Sequence, residues 1–119
     1  MNPLSSRRFH TQYKETAHRI TLYLSGELDL AASSSFRVIS ERVASRKEKP
    51  LVINLNELTY IDSSGIGQLV LLLKCRTEMN ADFYVESIPS KIQRLFDMTG
   101  LTRFLKPVPP ESATIPGGG

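Results

Sequence analysis

The residues best placed to do chemistry in this 119-residue chain are Asp62, Ser63 and Ser64, a carboxylate and two hydroxyls followed at once by Gly65. They lie between a short apolar run and a helical pattern, at what reads as a helix N-terminus. Free N–H groups and the helix dipole favour anionic groups there. On residue type alone, Ser63 and Ser64 are helix caps, a role that contributes about 1 kcal/mol. Nucleophilic catalysis fails on spacing: a serine hydrolase elbow needs glycine two residues ahead of the serine, and Ile61 and Asp62 hold those positions. The Gly-Lys-Ser/Thr of a phosphate-binding loop is missing, and the motif has no basic residue to hold a nucleotide. Asp29, taken alone, reads as a helix-start aspartate. His10 and His18 lack metal-ligand spacing and read as surface residues, and Cys75 has no activating neighbour. No catalytic residue, metal site or cofactor is expected.

A strand must lead into that turn and a helix must leave it. Leu51, Val52, Ile53 and Leu55, entered from Pro50, read as a buried strand of a parallel or mixed sheet. Ile66, Leu69, Val70 and Leu73 give the one-face spacing of a helix over 64–79, with Gln68, Leu71, Cys75 and Glu78 on its other side. Leu71, apolar on that outer side, is either a partner contact or a singly exposed leucine. Upstream, 7–13 reads as an edge strand anchored by Phe9 and Tyr13. Residues 20–24 read as a second strand ended by Ser25-Gly26, joined to the first by a hairpin turning near 15–18. A helix over 31–45 follows, burying Ala32, Phe36, Ile39 and Val43, and the charge run from Arg46 to Lys49 reads as its solvated end.

Residues 82–85 read as another strand, and Asn80 ends the helix before it. A third helix starts at Pro89-Ser90, buries Ile92, Leu95 and Phe96, and stops at Thr99-Gly100. Leu101 and Phe104 are expected to pack back onto the core. Strand, strand, helix, strand, helix, strand, helix describes an α/β layer architecture with crossover connections. Residues 1–6 are expected to be loose and 7–106 to form the domain. The proline- and glycine-rich stretch 107–119 is expected to be a flexible tail.

Composition narrows the function classes. One domain of this length, 40% hydrophobic and 23% charged, describes a soluble globular protein. The net charge of +3 is spread along the chain with no basic stripe, which gives nucleic-acid binding little support. The longest apolar run, Leu69 to Leu73, is far short of the roughly 20 residues that span a bilayer. The N-terminus lacks the apolar core of a signal peptide, and a single cysteine fits a reducing compartment. A cytoplasmic protein is expected.

Three segments together resemble the STAS domain family, the anti-sigma-factor antagonists and their relatives. They are Gly26-Glu27-Leu28-Asp29, then Ile61-Asp62-Ser63-Ser64-Gly65-Ile66-Gly67, then Arg94-Leu95-Phe96-Asp97-Met98-Thr99-Gly100-Leu101. They stand in the family's order and near its spacing, across residues 7–106. The resemblance implies a single STAS-like α/β domain, with a mixed sheet of four or five strands and helices packed against it. It also implies a kinase substrate in place of an enzyme: unphosphorylated protein binds an anti-sigma factor of the serine-kinase type and releases a sigma factor. Phosphorylation at Ser63 ends that binding, and a PP2C-type phosphatase reverses it.

Residue by residue, Ser64 matches the family's second serine and reads as a cap. Asp62 matches the acidic residue before the phosphorylated serine, and Asp29 an acidic residue lying nearby across the surface. Gly65 and Gly67 match small residues that let a partner's backbone come close. With Leu71 added, the expected partner-binding set is Asp29, Asp62, Ser63, Ser64, Gly65, Gly67 and Leu71. The free protein is expected to be a monomer with no nucleic-acid or membrane partner. The rival reading is a non-switching STAS scaffold, or a subunit of a stress-signalling or lipid-transport complex. The intact Asp62-Ser63-Ser64-Gly65 favours the phosphorylated antagonist over the lipid-transport subunit.

Overall fold

The computed structural model describes residues 8–109. β1 (Phe9–Glu15) and β2 (Ile20–Leu28) form an antiparallel hairpin. There follow α1 (Leu30–Ala44), β3 (Leu51–Ile61), α2 (Ser63–Glu78), β4 (Phe83–Glu86), α3 (Ser90–Thr99) and a 3-10 turn, Leu101–Phe104. The sheet order is β1-β2-β3-β4, with β3 parallel to both β2 and β4. This is the mixed α/β sheet expected, with four strands among the described residues. Each parallel step needs a crossover, and α1 and α2 supply them. Both steps run in the same direction across the sheet, so right-handed crossovers bring the two helices to one face, where they pack together. Ile20, Leu22, Leu24 and Leu28 of β2 and Leu51, Ile53 and Leu55 of β3 are fully buried there, and Phe36 and Phe96 join the same core.

Both central strands run further than their apolar runs suggest, β2 to Leu28 and β3 to Ile61. Ser25-Gly26 looks like a stop, but the strand passes through it. Gly26 has φ +89, and a Cβ there would lie 1.8 Å from the Arg8 carbonyl oxygen, so only glycine fits. The β2–β3 register shifts on either side of this point, and the extra residues fall on β3. The result sets Leu28 opposite Ile61 at the far end of the pair.

The buried side of α2 is turned from the expected stripe. Leu69, Leu72, Gly65 and Arg76 are buried, whereas Ile66, Val70 and Leu73 are only partly so. Arg76 closes this face, and its side chain is fully buried. Its Nη1 donates to the carbonyls of Ala44 (3.0 Å) and Arg46 (2.9 Å), and its Nη2 to those of Lys49 (2.9 Å) and Asp82 (2.8 Å). Burial lowers its pKa, and the negative charge of nearby Asp82 opposes that shift only in part. The C-terminal carbonyl of Ala44, at the negative end of the α1 dipole, also faces the guanidinium.

Three smaller expectations change. Arg46 and Lys49 are not simply solvated, because both pair with Glu15 at the end of β1, at 2.8 and 2.6 Å. Leu101 is buried but Phe104 is 61% exposed, since the 3-10 turn points it outward. Ile39 and Leu95 are only partly buried. The readings for residues 1–6, and for the tail from 110 onward, lie outside the described residues.

Candidate functional site

The parallel strands β2 and β3 end side by side, at Leu28 and Ile61, and each is followed by one aspartate and then a helix. Asp29 and Asp62 have nearly the same extended backbone, with φ −113 and −111. Each side chain accepts a hydrogen bond from the third helical amide, Ala32 for Asp29 and Gly65 for Asp62, both at 3.0 Å. Two helices thus start with one device, at the carboxyl end of parallel strands where open α/β sheets place their sites. Asp62 does more. Its second oxygen accepts from the backbone N–H of Leu30 at 3.2 Å, so one carboxylate holds the beginnings of both α1 and α2.

The cap of α2 is therefore Asp62, not Ser63 or Ser64. The strand continues to Ile61, which leaves Asp62 as the last non-helical residue and puts both serines inside the first turn. Ser63 is exposed and Ser64 half-buried, and neither hydroxyl bonds to any described residue. Asp29 and Asp62 line one shallow depression with Leu30, Ala31, Tyr60 and the ion-paired Arg8 and Glu27. Leu30 is 71% exposed and Tyr60 half exposed, an apolar rim on a largely acidic hollow. Sequence reasoning did not select Leu30, Tyr60 or Glu27. A leucine directly after a capping aspartate, where no core stripe requires one, was the available signal for Leu30.

The two glycines part company. Gly65 is buried, and a Cβ on it would lie 2.3 Å from the Leu28 carbonyl oxygen and 2.7 Å from Ile61 Cγ1. Its small size lets α2 close onto the ends of β2 and β3, so a partner's backbone cannot use it as expected. Gly67 is exposed with open space around its Cα, the property a close approach requires. Leu71 is exposed two turns beyond Ser63. Ser63, Gly67 and Leu71 thus stand on exposed surface, Asp29, Asp62 and Ser64 are partly exposed, and Gly65 is buried. Among the described residues, no cluster of three or more His, Cys, Asp or Glu could hold a metal ion, and no helix is long and apolar enough to cross a membrane.

Comparison with known proteins defines the class. The family model of the STAS domain matches residues 10–114, and the chain belongs to that family. Among its relatives is the anti-sigma-B factor antagonist of Staphylococcus aureus (strain NCTC 8325 / PS 47), 29% identical over 76 residues, or 64% of this chain and 70% of that one. An anti-sigma factor antagonist from Mycobacterium paratuberculosis shares the fold with TM-score 0.76 and 20% identity, over 86% of each chain. SpoIIAA of Bacillus, in its phosphorylated form, matches with TM-score 0.66 and 20% identity over 87% of this chain and 96% of its own. Its unphosphorylated form matches with TM-score 0.70 and 20% identity, over 87% and 92% of the two chains.

Proposed function

We propose that this protein is an anti-sigma-factor antagonist without catalytic activity, switched by phosphorylation of Ser63. Unphosphorylated, it holds an anti-sigma factor of the serine-kinase type and frees a sigma factor. That kinase moves the γ-phosphoryl group of ATP onto Ser63 Oγ, with ADP leaving and the hydroxyl proton released. A PP2C-type phosphatase hydrolyses the ester, returning the hydroxyl and inorganic phosphate. The observation that carries this reading is the division of labour at the turn: Asp62 does the capping, which leaves Ser63 exposed with an unengaged hydroxyl. SpoIIAA, which shares this fold, takes a phosphorylated and an unphosphorylated form, and this supports the reading.

The physics of the switch is local. A phosphate adds about −1.5 to −2 charges beside Asp62. Buried against a partner, such a charge without a counterion costs several kcal/mol. A loss of about 3 kcal/mol already weakens binding more than a hundredfold, at about 1.4 kcal/mol per factor of ten. The test is a pull-down from native cell extract with wild-type, Ser63→Ala and Ser63→Asp baits, read by mass spectrometry. A serine-kinase anti-sigma factor held by wild type and Ala but lost with Asp is the expected outcome. Identical protein sets on all three baits would refute the switch and indicate a constitutive scaffold.

A further inference from the structure

Along α2, away from the depression at Asp29 and Asp62, lies an apolar trough. Ile66, Val70 and Leu73 form one wall and Leu101 and Phe104 the other, around a hollow of about 310 Å³. Two neighbouring hollows share Leu73 and Phe104, so the trough continues along the helix. Phe104 is 61% exposed. It does not hang loose: Asp97 accepts from the Thr102 hydroxyl at 2.6 Å and from the Gln93 amide at 2.9 Å, and this ties its turn to α3. An exposed aromatic on a fixed turn facing a helical wall has the shape that receives an amphipathic helix, anchored at i, i+3 and i+4.

Charge selects the occupant. Lys74 is the one ionisable residue among those lining the trough nearest Ser63. Arg103 sits 5.9 Å from the Phe104 ring, and Lys106 stands at the trough's other end. The carboxylates Glu78 and Asp82 border only the stretches further from Ser63. An apolar floor beside cations complements a helix with an apolar stripe and acidic flanks. The trough also lies on the line of the phosphoacceptor. Ile66 is one turn after Ser63, and Lys74 is eleven residues on, about 16 Å along the axis and about 20° around it.

Resting on the function proposed above, we infer that this trough is a docking groove for an acidic amphipathic helix of the partner that receives Ser63. That helix lays its apolar face between α2 and Phe104 and pairs a carboxylate with Lys74, holding the partner in register while Ser63 enters its active site.

The test places benzoylphenylalanine at position 104 for photo-crosslinking in the native cell, with position 38, an exposed apolar site on α1, as control. Mass spectrometry should find, from position 104 only, a peptide of acidic amphipathic helical pattern from the protein captured in the Ser63 experiment. With that protein purified, Lys74→Glu and Phe104→Ala should each weaken binding about tenfold or more, with unchanged circular dichroism. Lys47→Glu, on the exposed loop before β3, should leave binding as it was. A crosslink to a second copy of this chain, to a non-acidic segment, or to nothing overturns the groove, as does unchanged affinity in both variants. The two readings fail separately. Binding lost with Ser63→Asp but indifferent to both groove variants removes the groove alone. Binding indifferent to Ser63→Asp but lost with Lys74→Glu removes the switch and leaves the docking contact standing.

Discussion

Removing the Asp62 carboxylate should destabilise two helices at once, and by an amount the geometry lets us apportion. In Asp62→Ala, Gly65 N–H loses its 3.0 Å cap, and Leu30 N–H loses its 3.2 Å acceptor. An N-cap replaced by alanine costs about 1 kcal/mol. The second hydrogen bond, at an exposed helix start where water can substitute, contributes about 0.5–1.5 kcal/mol, and two helix dipoles lose a nearby anion. The total is about 2 kcal/mol. Asp62→Asn separates the parts, because its amide oxygen can still cap α2 while its NH₂ faces the Leu30 N–H donor to donor. Half of the loss or less should remain, about 1 kcal/mol. Urea unfolding measures this directly: with a slope of about 2 kcal/mol per M, the Ala midpoint should fall by about 1 M and the Asn midpoint by about half that. Hydrogen exchange at the Leu30 amide should quicken in both variants. An Ala midpoint equal to wild type, or Asn as damaging as Ala, would refute the double-cap account.

Two further outcomes follow from groups far from the serines. Arg46, then Lys49 and Tyr13, hydrogen-bond the Glu15 carboxylate and hold its pKa down to about 2, against an ordinary value of 4.5. A depressed carboxylate stabilises the fold fully above the unfolded value, and that share is lost as pH falls from about 4.5 towards 2. Unfolding midpoints measured across that window should drop more steeply for wild type than for Glu15→Gln, and less so in high salt because the cluster is exposed; parallel acid limbs would refute the assignment. Arg76→Lys keeps the charge but offers three donors where four carbonyls are now served, so about 2–3 kcal/mol of stability should go in thermal or urea unfolding. A lysine variant as stable as wild type would mean that those carbonyls find water instead.

The element order was legible because each strand and helix carried its own apolar period and its own punctuation. What was not legible was set by neighbours in space. Asp62, Ser63 and Ser64 are all good cap formers, and residue type alone pointed to the serines. The choice was made by β3, whose pairing with β2 runs to Ile61 and leaves Asp62 as the last extended residue. Gly26 had the composition of a strand end, yet its positive φ sits inside a strand and keeps the pairing going. Arg76 looked like any charged residue near a helix C-terminus. Its five N–H groups found carbonyls from three separate loops and helix ends, none of which has a sequence mark. Gly65 and Gly67, two residues apart and alike in type, took opposite roles because only one faces the Leu28 carbonyl.

Under the proposed switch, the separation of cap from acceptor lets a charge at Ser63 act on binding while the fold stays intact. Were Ser63 the cap, its modification would alter the hydrogen bond that starts α2. With Asp62 in that role, the hydroxyl is free to carry a phosphate at a helix N-terminus, where an anion is tolerated. The hollow beside it already has three carboxylates, Glu27, Asp29 and Asp62, against the single guanidinium of Arg8. A phosphate of about −2 would therefore about double the net negative charge there, from −2 to about −4. Repulsion falls first on Asp62, the nearest carboxylate in the chain. Under the proposed switch, the partner meets the added charge at the start of α2, beside the carboxylate that also holds the start of α1.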